Sequence, residues 1–585
     1  MGTSRFEIRD QFYLDGKPFQ IISGSIHYFR VVPEYWRDRL EKLRSMGCNT
    51  VETYIPWNLH EPHPGEFLFD GILDFVKFLK TAQELGLWAI VRPSPYICAE
   101  WELGGLPAWL LAEDGMRLRC TYPPFLHAVR EYYQALFKVL APLQIDNGGP
   151  ILLMQVENEY GAYGDEQAYL EALRSEMQKN GVTVPLVTSD GPWGDYLDNG
   201  NLPGTLATVN FGSKPETQLP VLQKKIKAGP LMCMEFWVGW FDAWGDKKHH
   251  TASAENSAKD LDFILANGSV NLYMFHGGTN FGFMNGSNYY GRLSPDVTSY
   301  DYDAPLSEDG TITEKYLEFR KVISKYANVY PMTFSTEIEQ CSYGKQAVAD
   351  RVSLFSVLPD LALPTESPWP LSMEKLGQNY GYTLYRSYFK KEAQVGKLQL
   401  LDTNDRAQIF FDQQHFLTLY DLELQKEYDV PSGFGHSEQI DILTENMGRV
   451  NYGPRMEYQH KGVNGAVLLN GHGHAGWRMY PLPMDAEMAE KLDFRKDYQQ
   501  GTPSFYRIPF QVEKRGDTFL DLSGWGKGCA LLNGFNLGRF WDKGPQKRLY
   551  VPAPLLRQGE NELILFETEG KTADYVRFLA KPELG

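Results

Sequence analysis

From about residue 19 to residue 330, short apolar runs alternate with segments whose apolar positions recur at helical period. That alternation is the pattern of repeated βα units. Eight runs read as strands: 19–29, 50–57, 88–97, 151–160, 185–191, 205–212, 231–239 and 271–280. Between them PEYWRDRLEKLRSMG (33–47), ILDFVKFLKTAQELG (72–86) and SAENSAKDLDFILANG (253–268) read as helices, the first opening on Pro33 and the other two ending in glycine. Eight strands with helices between them predict a (β/α)8 TIM barrel with enlarged loops over 1–330. Beyond it, runs such as YTLYRSYF (382–389), AQIFFD (407–412), GAVLLNG (465–471) and NELILFETEG (561–570) are short, strand-like and broken by Gly and Asn turns. They predict two all-β, jelly-roll-like sandwiches, 380–490 and 500–585, joined to the barrel by a connecting segment, 331–379. The fold class is therefore α/β, a barrel followed by two all-β domains. There is no fixed-period repeat, which excludes a solenoid.

Composition narrows the partners. The formal charge of −17 argues against a phosphate-backbone binder, and no run of eighteen apolar residues exists to span a bilayer. Neither nucleic acid nor a membrane is expected as a partner. The N-terminus shows no apolar stretch behind a basic start, so cytoplasmic residence is expected. Six scattered cysteines form no C-x-x-C pair, which points to neither a disulfide framework nor a zinc site. Aromatic content is 14%, with 34 Tyr, 33 Phe and 13 Trp. Flat faces with polar edges suit sugar rings as well as ordinary cores.

In a barrel enzyme the chemistry sits where strands end. Predicted strand four ends in Glu157, Asn158 and Glu159, and predicted strand seven, LMCMEFW, carries Glu235 among apolar neighbours. A strand-end acid commonly caps the following loop, but a buried unpaired charge is expensive, which weakens that reading for Glu235. Two carboxylates from opposite parts of a barrel are what glycoside cleavage needs. Strand alternation turns Glu157 and Glu159 to the same side, so pattern alone does not choose between them.

VENEYGAYG, RPSPYICAEWELGGLPAWL (92–111), CMEFWVGW (233–240), HGGTNFGF (276–283) and TSYDYDAPLSEDG (298–310) together resemble glycoside hydrolase family 35, the β-galactosidases. GRFWDKGPQKRLYVPAPLL (538–556) resembles the family's β-domains. The resemblance implies that Glu159 is the acid/base, Glu235 the nucleophile and Glu157 a buried supporting acid. It implies that Tyr54, Cys98, Ala99, Glu100, Asn158 and Tyr302 bind galactose, with Trp101 and Trp240 as candidate apolar walls. It further implies a retaining exo-β-galactosidase that needs no cofactor or metal and takes an oligosaccharide or galactoside as substrate. For assembly we expect a homodimer. Compact members resemble enzymes that prefer galactose β-1,3-linked to N-acetylhexosamine. Two rivals stand beside this reading: a carbohydrate-binding protein with a degenerate barrel, and a retaining glycosidase or transglycosidase of other specificity.

The stretch after Glu235 carries Phe236, Trp237, Trp240, Phe241 and Trp244. An indole offers a flat face and an N–H, so Trp240 and Trp244 read as contacts to the second sugar, and Phe236 and Phe241 as seals. RVNYG (449–453) is the next candidate for that role. GHGHAG (471–476) matches G-x-G-x-x-G, but WRMYPLPMD follows it, with two prolines where the dinucleotide fingerprint needs a helix. HEPH (60–63) contains Pro62 and reads as a βα loop, and His249 and His250 read as a solvated loop.

Overall fold

The computed structural model describes residues 4–93, 95–390 and 394–585. Ser94, inside the third predicted strand, and 391–393, inside the first predicted sandwich, lie outside the described residues, as does 1–3. Eight parallel strands close into a barrel: β1 (Ile22–Ile26), β2 (Thr50–Tyr54), β3 (Trp88–Arg92), β4 (Ile151–Gln155), β5 (Leu186–Asp190), β6 (Leu206–Phe211), β7 (Met232–Trp237) and β8 (Ser269–His276). Each pairs with its sequence neighbour, and β8 returns to β1. Helices α1 (Trp36–Met46), α2 (Phe75–Glu84), α3 (Pro123–Leu140), α4 (Gln167–Lys179), α5 (Pro215–Ile226), α6 (Ala254–Asn267) and α7 (Glu314–Ile323) cover the outside.

Local chemistry sets the helix ends. The Asp74 and Ser253 side chains accept from the backbone N–H of Lys77 and Asn256 at the starts of α2 and α6. Gly47 ends α1 at φ +104°, where a Cβ would lie 2.7 Å from Ile323 on α7, so only glycine combines that turn with that packing. The strands are shorter than their apolar runs. The runs over 19–29, 151–160 and 271–280 continue past Ile26, Gln155 and His276 because the residues beyond are buried as loops over the barrel mouth. Glu52, Arg92, Gln155, Asn210 and Asn271 make the interior polar toward that mouth.

Two β-sandwiches follow the barrel. The first sets a six-stranded sheet, ordered 365–367, 477–482, 382–388, 439–445, 406–411 and 414–420, against a four-stranded one. The second sets a five-stranded sheet (350–353, 504–512, 559–567, 527–532, 535–541) against four strands. Tyr382, Leu384, Phe410 and Leu443 of the six-stranded sheet share a core with Phe505, Cys529, Leu531, Ile564 and Phe566 of the five-stranded one. Residues 382–387 of that strand are therefore buried on both faces, and only Tyr388 at its end is exposed. The segment 331–379 is more than a connection. Its strands Gly344–Ala347 and Asp350–Ser353 pair with Tyr575–Leu579 and Ser504–Val512 of the second sandwich, and Thr365–Ser367 pairs with Trp477–Leu482 of the first. These edge strands are short and polar, so they lack the alternation that marks a half-buried strand.

Where the two sandwiches meet, Glu445 is wholly buried and shared by Arg406 of the first and Lys527 and Arg539 of the second. Burial pushes its carboxyl up, but Lys527, Arg406 and Arg539 overcome that and hold it below the usual carboxylate range. The stabilisation is therefore present above that range and lost as pH falls through it. Glu445→Gln should cost about 3–5 kcal/mol in urea unfolding, because three buried cations lose a shared partner. A loss under about 1 kcal/mol would show that Glu569 and Asn285, which also contact Arg406 and Arg539, suffice.

Candidate active site

At the C-terminal end of the barrel lies a cavity of about 190 Å³. It is smaller than the roughly 300–1,000 Å³ of pockets that hold drug-sized ligands, and suits a single sugar ring. The turn 97–100, Asn158, Glu159, Glu235, Tyr273 and Tyr302 line its inner part, and Trp193, Trp240, Tyr290 and Tyr452 lie toward its mouth.

Glu235 projects from β7. Arg92 at the end of β3 reaches its Oε1 at 2.6 Å, Tyr54 at the end of β2 donates to the same oxygen at 2.8 Å, and the Trp237 indole donates to Oε2 at 2.9 Å. The two oxygens of a carboxylate in this apolar strand are thus met by a cation and two further donors, the condition for burying the charge. Arg92 also donates to Asn158 Oδ1 at 2.7 Å, and the Tyr54 hydroxyl, whose single proton serves one acceptor at a time, lies 2.9 Å from the same oxygen, tying the strand-four turn to the same hub.

Glu159 lies beyond the end of β4, at φ +47°. Its Oε1 accepts from Asn210 Nδ2 of β6 at 3.0 Å, and its backbone N–H donates to Ser189 of β5. Burial, and after it the negative charge of Glu235, push the Glu159 carboxyl up to about 7, with Asn210 and Arg92 opposing. The two carboxyls line one cavity in different surroundings. Glu157 turns away from the cavity. Arg119 grips it with two hydrogen bonds, at 2.9 and 2.7 Å, and it braces the Asn158 N–H. Glu157 and Glu159 do not share a face, because the strand has ended and both residues are left-handed.

The turn Cys98-Ala99-Glu100 holds three successive left-handed non-glycine residues, with φ of +56°, +58° and +48°. Each costs of order 1–3 kcal/mol and persists only where the surroundings enforce it. Arg30 donates to Ala99 O, Gly286 N–H donates to Glu100 O at 2.9 Å, and Tyr300 donates to the Glu100 carboxylate. Burial pushes Glu100 up to about 7 despite Tyr300 and Arg30. Tyr302 packs its ring 5.6 Å from that of Tyr273.

The cavity thus gathers Cys98, Ala99, Glu100, Asn158, Glu159, Glu235, Tyr302, Trp237 and Trp240 from the residues singled out in the sequence, with Tyr54 directly behind Glu235, and Phe241, expected as a seal, lines the cavity stacked on Trp240. Trp244 is not among them. It is 6% exposed against 41% for Trp240, and its ring lies 6.3 Å from Trp541 in a separate cleft at the second sandwich. The chain turns down after Phe241, because Trp244 N–H and Gly245 N–H donate to Pro295 and Gly544. Trp101 is buried behind the turn against Phe29, its indole donating to Asn58. His249 is mostly buried between Asp242 and Asp301 rather than solvated, and those partners raise its pKa to about 10 against burial. Asp242, Asp246 and His250 bring ligand atoms within 4.8 Å of one another, but none of the three lines the cavity. GHGHAG forms a hairpin between Val467–Leu469 and His472–Gly473. Tyr452, within RVNYG, reaches the cavity from the first sandwich. Sequence reasoning missed Arg92, Tyr273, Tyr300, Trp193 and Tyr290. Arg92 is the last residue of β3, and the strand-end position that marks acids in a barrel marks this cation as well.

Because Glu235 helps to raise Glu159, Glu235→Gln should move the Glu159 titration downward without returning it to the usual range, since burial remains. ¹³C NMR of labelled glutamate reads this, and an unmoved midpoint would mean the carboxyls do not interact.

The sequence profile described as glycosyl hydrolases family 35 matches residues 11–326. Profiles described as the first all-beta domain and the galactose-binding domain of beta-galactosidase match 370–483 and 503–561. The chain is 41% identical to human "Beta-galactosidase-1-like protein 2", over 98% of this chain and 91% of that protein. It is 43% identical to "Beta-galactosidase" of Xanthomonas manihotis, over 92% and 90%, and 40% identical to Arabidopsis thaliana "Beta-galactosidase 17", over 97% and 88%. With these matches and two strand-end carboxyls on one barrel cavity, the chain belongs to glycosyl hydrolase family 35.

Proposed function

We propose that the protein is a retaining exo-β-galactosidase that removes terminal non-reducing β-galactose. The observation that carries this reading is the contrast at the cavity: Glu235 is held by Arg92, Tyr54 and Trp237, while Glu159 is pushed up to about 7. Two carboxyls in different surroundings, one pushed up and one ringed by donors, suit acid-assisted glycoside cleavage, and the anomer formed first separates the retaining from the inverting course. Glu235 attacks the anomeric carbon as the bond to the aglycone oxygen breaks, and that oxygen takes the Glu159 proton. The ester to Glu235 removes the charge that helped to raise Glu159, so Glu159 becomes a base. It then takes a proton from water, which attacks the anomeric carbon as the bond to Glu235 breaks; Glu235 leaves as a carboxylate and galactose is released with the β configuration kept. Glu100 and Asn158 bind ring hydroxyls, and Glu100 reads the axial 4-hydroxyl. The rivals predict otherwise: a binding protein gives no turnover, and a transglycosidase gives new glycosides.

An aryl β-galactoside with NMR of the first anomer formed tests the reading. β-Galactose should appear first, and Glu235→Gln should abolish turnover; α-galactose as first product would overturn the retaining mechanism. Glu159 must be protonated to act as acid, so kcat/KM should fall as pH rises through about 7. In Glu159→Gln that limb should vanish, and the loss should be greatest for poor leaving groups. Equal losses would move the acid role elsewhere.

For the aglycone we propose N-acetylhexosamine linked β-1,3. Trp193, Trp240, Tyr290 and Tyr452, all partly exposed, offer faces to a second ring. Galactosyl-β-1,3-N-acetylhexosamine should outperform lactose. Trp240→Ala should lower kcat/KM for the disaccharide more than for the aryl galactoside, by about 1–2 kcal/mol, whereas Trp244→Ala should leave that ratio unchanged. Equal losses on both substrates would assign Trp240 to holding the loop.

A further inference from the structure

The loop 446–453 belongs to the first sandwich, yet it is built into the wall of the galactose pocket. Arg449 is fully buried. Its guanidinium pairs with Glu102 of the barrel and Glu374 of the sandwich and donates to Asn379 O at 2.8 Å and Gln459 O at 3.1 Å. Glu102 stands two residues from Glu100, and its backbone N–H is anchored on Met284 O. Asn451 donates through Nδ2 to Cys98 Sγ at 3.7 Å, and its carbonyl accepts from Tyr96. The strand segment at Ser287 bonds both ways with this loop, Ser287 N–H to Arg449 O and Asn451 N–H to Ser287 O. The neighbouring Gly286 holds Glu100 O. Nothing here is slack. A Cβ on Gly448 would lie 2.6 Å from Asn285 O, and one on Gly104 would lie 3.1 Å from Asn451 O.

We propose that the first sandwich is a working part of the sugar site, with Arg449 and Asn451 as positioning residues that hold Cys98-Ala99-Glu100 in the left-handed turn that presents Glu100 to the sugar. The turn does not rest in this conformation by itself, since non-glycine residues avoid it. The braces that enforce it come partly from outside the barrel. Arg449 is suited to the task because its planar fork fixes direction as well as charge between two buried carboxylates. Hydroxyl recognition depends on placement to within about 0.5 Å, so a small relaxation of the turn costs affinity before it costs the fold. The proposal rests on the reading of 98–100 as galactose-binding.

The test uses the full chain with Arg449→Lys, which keeps the charge and loses the fork, and Asn451→Ala, which removes the contact to Cys98. It needs two readouts. In the absence of substrate, the ¹³C titration of Glu100, which burial raises to about 7, should move down as water enters the loosened turn. With an aryl β-galactoside, Arg449→Lys should lower kcat/KM at least tenfold, mostly through KM. Combined with Glu100→Gln it should add no further loss, because both act on one contact. A folded Arg449→Lys with unchanged KM and an unmoved Glu100 titration would overturn the proposal, as would fully additive losses with Glu100→Gln. If Arg449→Lys does not fold, Asn451→Ala decides by the same readouts, with a smaller expected shift. If the wild-type protein does not hydrolyse β-galactosides, the galactosidase reading falls, and the Glu100 titration still decides whether the sandwich loop holds the turn.

Discussion

The Arg92–Glu235 pair is the interaction on which the site depends. A carboxylate on an interior strand of a closed barrel has little water to solvate it, and its desolvation exceeds what any one hydrogen bond returns. Arg92 meets that requirement from β3 while Tyr54 and Trp237 take the remaining lone pairs. The same guanidinium reaches Asn158 and Gln155, so the ends of β3, β4 and β7 share one hub. On its other side stands Glu52, with one oxygen 3.8 Å from Arg92 and the other accepting from Ser25. Burial pushes Glu52 up to about 7, although Arg92 and Ser25 oppose it. An arginine set between two carboxyls, one of them kept easy to protonate, leaves its charge directed at Glu235.

Glu159 is arranged on the opposite principle. Among the described residues, Asn210 donates to it from a side chain, and it feels the Glu235 charge. Among the described residues, the two carboxyls thus differ in the donors around each, and those donors come from different strands. A barrel can supply this because every strand ends at the same face.

The sandwiches extend that economy. Glu445, Arg406, Lys527 and Arg539 form one buried charged cluster, and Glu102, Arg449 and Glu374 form another. Breaking such clusters from one side strands a charge in low dielectric, so the three domains are bound to one geometry rather than left to move as independent units. The shared core between the six- and five-stranded sheets acts to the same end by apolar burial.

Much was legible in the chain. Periodicity marks the barrel because strands buried on both faces read as continuous apolar runs and helices as 3.6-residue stripes. An acid inside MCMEFW stands out because such a charge needs a reason, and Asn158 and Glu159 follow a strand end. These features are local, and a sequence displays local features directly. The strands within 331–379 escape the pattern because polar edge strands carry no period, and the place of Trp244 escapes it because indoles in the pocket and at a domain interface look alike in sequence. Arg92, Tyr300, Tyr273 and Tyr452 enter the site from chain positions as far apart as 92 and 452. By itself the sequence determined the elements, the barrel and the carboxyls that stand at or beyond its strand ends. Tertiary structure alone decided which carboxyl is surrounded by donors, which is left short of them, and which loops wall the sugar pocket. Those properties depend on distances between groups that the chain order does not encode.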